Sequence, residues 1–130
     1  TFASALLEAA AQCAADHRAV LLAGYDMPAV GALASVTTSR DMLAVALVIS
    51  PTRTERTVAS FEWSLATGGS PASALRSDAA RALKVNAMAD ALPLYEALAR
   101  GKAESLSLPL SAALSLRLAL QPELQLEAQS

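Results

Sequence analysis

The sequence predicts an α/β fold, layered around a buried helix and a mixed sheet, and three observations lead there. An opening helical stretch is apolar round nearly its whole circumference. Two short apolar runs of strand length follow it. In the tail, leucines recur at every second position.

In the first stretch, Ser4, Glu8, Gln12 and Asp16 fall every four residues and form a narrow polar stripe. Phe2, Leu6, Leu7, Ala9, Ala10, Cys13 and Ala14 occupy the rest of the circumference, so the helix is expected to be covered on more than one side. Asp16-His17-Arg18 ends it. Ala19 to Tyr25 (AVLLAGY) is continuous rather than alternating and reads as a strand covered on both faces, with Gly24 admitting a close neighbour. Met27 to Asp41 reads as connection, with a helical turn at Ala29–Ala34. Met42 to Ile49 (MLAVALVI) is a second two-sided strand, closed by Ser50-Pro51, and the polar loop Thr52–Arg56 follows.

From Thr57 to Ala66 the pattern alternates, with Ala59, Phe61, Trp63 and Leu65 facing inward and Ser60, Glu62 and Ser64 outward. Gly68-Gly69-Ser70-Pro71 makes a turn, and Ala72 to Ala91 is helix-prone. Pro93 suits the first turn of a short helix running to Arg100, with Gly101 just past its end. Leu106, Leu108 and Leu110, then Leu114, Leu116, Leu118 and Leu120, read as two antiparallel strands joined near Ser111-Ala112, with Ser105, Ser107, Ser115, Arg117 and Gln121 on the opposite side.

Composition narrows the function. At 130 residues with 54% apolar and 17% charged side chains, the chain has enough apolar content for one ordinary core and reads as a single domain, 1–130, or part of one. Ten basic against twelve acidic residues, and an aromatic share of 4%, give neither a phosphate-binding footprint nor base-stacking platforms, which argues against a nucleic-acid partner. The apolar opening is shorter than the roughly 20 residues of a membrane span and lacks a basic leader. One cysteine and one histidine exclude an internal disulfide and the usual Cys/His zinc site, and a reducing, cytoplasmic setting fits. Beginning at Thr1, inside a helical pattern, the chain reads as truncated, processed or missing upstream sequence.

Few side chains offer chemistry. Cys13 and His17, four apart, could face each other if the helix persists that far, although a cysteine among alanines more often serves as a small buried hydrophobe. Asp26 follows a strand at its carboxyl end, where open α/β sheets hold ligands, and equally suits a turn. Gly68-Gly69 lacks the spacing of a phosphate loop. Arg76, Arg81 and Lys84 are the clustered positive charges, able to meet an acidic carrier domain or to form a solvated face balanced by Asp78.

Three stretches resemble β-ketoacyl synthases. TFASALLEAAAQCAADHRAVLLAGYDMP (Thr1 to Pro28) is similar to the buried helix and following strand that come just after the nucleophile position of that family. MLAVALVISP (Met42 to Pro51) resembles the next core strand, and ALPLYEALARG (Ala91 to Gly101) the late helix of a shorter branch associated with bacterial aryl-polyene and xanthomonadin-type pigment clusters. Where the enzymes carry Ala-Gly-Gly, this chain has Ala23-Gly24-Tyr25.

The resemblance implies a thiolase-like layered half-domain without its upstream part, with the helix between two sheets. It implies a β-ketoacyl-carrier-protein synthase-like subunit of a fatty-acid or polyketide-type pathway. Since the chain begins beyond the expected nucleophile and holds one histidine, the subunit is expected to be a non-catalytic partner comparable to a chain-length factor. Tyr25 and Asp26 would lie near a pocket or interface, and Arg76, Arg81 and Lys84 near an acyl carrier protein. The implied partners are a condensing enzyme and that carrier, in a dimer or hetero-oligomer, with no cofactor. A segment of an active condensing enzyme and an unrelated small α/β binding domain remain the alternatives.

Overall fold

The computed structural model describes residues 1–123. Its order is α1 (Phe2–Asp16), β1 (Val20–Asp26), a 3₁₀ turn (Gly31–Ser35), β2 (Leu43–Ile49), β3 (Ala59–Thr67), α2 (Asp78–Ala82), a second 3₁₀ turn (Ala89–Ala91), α3 (Leu92–Arg100), β4 (Glu104–Pro109) and β5 (Leu114–Pro122). Helices and sheets combine, as an α/β class requires. The sheet is not mixed: β1 pairs with β2, and β5 lies between β3 and β4, every pairing being antiparallel. The reason lies in the connections. A parallel partner needs a long crossover, whereas the chain between β1 and β2 holds only the turn Gly31–Ser35 and folds straight back.

Local chemistry sets the ends of these elements. Thr1 caps α1 by accepting the Ser4 N–H on its hydroxyl at 3.3 Å, and His17 closes the helix in the left-handed region at φ 51°. Pro93 occupies the first turn of α3 and Gly101 ends it at φ 64°. The β4–β5 hairpin turns where expected, with the N–H groups of Leu110 and Ser111 both donating to the Leu114 carbonyl.

The core gathers Phe2, Leu6 and Cys13 of α1, Leu94 and Ala97 of α3, and the leucines at 106, 108, 116, 118 and 120. Val20, Leu22, Val45 and Leu47 pack against it from β1 and β2. Two expectations fail together here. Both strands alternate in burial, so each has one covered face instead of two, and α1 is buried along Phe2, Ala3, Leu6, Ala9, Ala10 and Cys13 only. Ala11, Ala14 and Ala15 lie exposed. Alanine counts as apolar in a helical wheel yet exposes too little surface to demand a covering layer.

Three further differences follow. Most of Ala72–Ala91 is irregular, with helix confined to α2 and the second turn. Trp63 and Leu65 share the inward side of β3 with Phe61 but are 39% and 50% exposed, because β3 is an edge strand that runs past its cover. Ser115, expected outward, is fully buried: the chain after Gly69 crosses it, with the Ser70 N–H donating to its hydroxyl at 3.1 Å. Gly69 must be glycine there, since its φ is 57° and a Cβ would fall on the Ala112 carbonyl.

Candidate functional site

Two strand edges that have no partner strand among the described residues, the outer edge of β2 and the outer edge of β3, flank one cleft of about 1070 Å³. Leu94, Leu98 and Leu120 line it together with Cys13; Phe61 and Trp63 stand on the β3 side, and Leu47 and Ile49 on the β2 side. The polar lining comes from the connection between β2 and β3, with Arg53, Thr54, Arg56 and Thr57, and from His17. Arg53 is spent on structure: its guanidinium pairs with Glu123 at 3.1 Å and donates to the Ser60 hydroxyl at 3.2 Å. Arg56 makes no ion pair among the described residues. Apolar walls with a cationic, hydroxyl-bearing end suit a largely apolar ligand that carries a polar group.

The cleft brings the thiol of Cys13 and the imidazole of His17 to one place without coupling them. Cys13 is buried, its Sγ 3.8 Å from the Ile49 carbonyl oxygen. His17 lies beyond the end of α1 in left-handed geometry, so the one-turn spacing that would align the pair is lost.

The residues singled out from sequence take different places. Tyr25 is exposed near the end of β1, on the side of the hairpin away from α1. Asp26 is a tie: its carboxylate accepts the Ser39 hydroxyl and, at 3.4 Å, the Ala87 N–H, joining the connection after β1 to the segment before α3. Gly24 does admit a close neighbour, since a Cβ there would meet the Met88 methyl at 2.8 Å.

Arg76 and Arg81 are both engaged. Arg76 reaches Glu104 at 3.6 Å, while its N–H and that of Ser77 donate to the Glu96 carboxylate. Arg81 pairs with Asp78 at 2.6 Å and donates to the Leu75 carbonyl. Lys84 is exposed and makes no ion pair among the described residues. Bonds from the Ser77 side chain and then the Arg76 and Ser77 backbones, with Arg100 adding its charge, hold Glu96 down at about 2. Hydrogen bonding to Glu104 raises Arg100 in turn.

The cleft itself has no signature in the sequence, because its walls are elements that never pair with each other. Trp63, on the inward side of β3 yet 39% exposed, reads the same as a core aromatic. Among the described residues no group of three His, Cys, Asp or Glu side chains could hold a metal ion, and no helix is long and apolar enough to cross a membrane. Comparison with protein-family models, curated proteins and solved structures finds no significant match to this chain.

Proposed function

We propose that the chain is a synthase-like, non-catalytic subunit that packs against a condensing enzyme of a fatty-acid or polyketide-type pathway, of the aryl-polyene pigment kind, and limits the length of the growing acyl chain. One observation carries this reading. The three stretches that resemble β-ketoacyl synthases, far apart in sequence, come together as one packed unit. α1 lies on β1 and β2, the Tyr95 ring of α3 stands 6.2 Å from that of Phe2, and the Tyr95 hydroxyl donates to the Ala46 carbonyl of β2 at 2.9 Å.

A thiolase-like layering is part of the proposal, with α1, β1, β2 and α3 forming one layered unit beside which the condensing enzyme packs. The cleft between β2 and β3 then receives the apolar chain, and the exposed Lys84, with the accessible sides of Arg76 and Arg81, meets the acidic carrier protein. Such a subunit works in the cytoplasm. The antiparallel pairing of both sheets favours a second reading, a small α/β binding domain outside the synthase family whose ligand occupies the same cleft.

Co-expression with a β-ketoacyl synthase of such a pathway and its acyl carrier protein separates the two. The first reading predicts a stable complex that survives purification and is weakened by Arg76→Glu combined with Lys84→Glu. Clean separation of the chain from both proteins would leave only the binding domain.

A further inference from the structure

We infer that the outer face of the β1–β2 hairpin is an interface between two copies of this chain. Leu21, Ala23 and Tyr25 lie opposite Val48, Ala46 and Ala44, and these six side chains form one face that carries no charge. Their neighbours Val20, Leu22, Val45 and Leu47 are the ones that pack on the core. The larger sheet shows how this protein builds a face for water: Ser60, Glu62, Ser64, Arg117 and Gln121 point outward there. Nothing equivalent appears on the hairpin, where Leu21, Tyr25 and Val48 are 69%, 73% and 66% exposed.

Size and shape both point to a second copy. With Met42, also exposed beside Tyr25, the face offers on the order of 600 Å² of surface, at the lower end of what each partner contributes to a specific interface. Large side chains stand at its ends, and Ala23, Gly24, Ala44 and Ala46 leave a shallow dent of about 510 Å³ between them, bounded by Tyr25 and Met42. Knob and dent on one surface are what an isologous contact requires: a two-fold axis through the middle of the hairpin seats each Tyr25 over the alanines of the other copy. Two uncharged faces meet without repulsion or buried unpaired charge. This inference does not rest on the synthase reading, and either can fail alone.

Sedimentation of the full chain over a range of concentrations tests it. The expected species has twice the 13.4 kDa chain mass. Tyr25→Asp and Ala46→Arg, both at exposed positions, should each weaken association by at least about 30-fold while the far-ultraviolet circular dichroism stays unchanged. Met42→Lys serves in place of either variant should that one lose its dichroism. A photo-crosslinking residue at position 25 should capture the 42–48 segment of a second copy. A monomer at every concentration, a dimer indifferent to these substitutions, or a crosslink to another surface or only to a different protein would each overturn the inference.

Discussion

The Tyr95 hydroxyl donates to the Ala46 carbonyl across 2.9 Å, tying α3 to the edge of β2 that no strand covers among the described residues. A strand edge exposes unpaired backbone groups, and here one of them is satisfied by a side chain from the helix that also lines the cleft.

Tyr95→Phe should therefore cost about 1 kcal/mol, the usual net worth of one hydrogen bond, measured by urea unfolding at neutral pH. Burial raises the Tyr95 pKa above its ordinary 10. The folded state thus holds the proton longer than the unfolded one. Stability is whole below pH 10 and declines as pH rises through the folded value, and Tyr95→Phe should flatten that part of the alkaline decline.

Glu96 acts at the other end of the pH scale. Its carboxylate, held at about 2 by bonds from Ser77 and Arg76, keeps the segment before α2 against α3. A depressed folded pKa contributes stability that is present above the ordinary value of 4.5 and lost as pH falls from there through about 2. Acid unfolding of Glu96→Gln should lose the part of the slope that lies between the ordinary value of 4.5 and about 2. An unchanged acid profile would show that Glu96 is not the tie.

Two leucines separate the covered side of the chain from its bare side. Leu6 is fully buried at the centre of the core, and Leu6→Ala should cost about 2–5 kcal/mol in chemical denaturation. Leu21 is a leucine of the same size on the outer face of β1, and within a single copy Leu21→Ala should stay within about 0.5 kcal/mol. Equal losses at dilutions where the chain is monomeric would contradict the one-sided burial described above.

Much of the local structure was legible because it rests on near neighbours. Asp16-His17-Arg18 ends a helix, Pro93 and Gly101 bracket another, and the leucine period from 106 to 120 specifies a hairpin whose turn falls where Ser111 and Ala112 stand. What sequence could not resolve was which faces are covered. The runs Val20–Asp26 and Leu43–Ile49 are apolar on both sides, and an uncovered apolar face is spelled like a buried one. The same ambiguity hid Trp63. Of the candidate residues, Asp26 and Arg76 proved to be joints between distant loops, and Arg53 and Arg56 gained their place at the cleft only through a fold that sets β2 opposite β3.

The most direct measurement takes a condensing enzyme and carrier protein of an aryl-polyene-type pathway, adds or withholds this chain, and reads product length by mass spectrometry. The proposed role predicts that the chain shifts the length distribution, that Cys13→Ala leaves the shift intact, and that Leu98→Trp, which narrows the cleft, moves it toward shorter products. Identical distributions with and without the chain, or activity that disappears with Cys13→Ala, would contradict it.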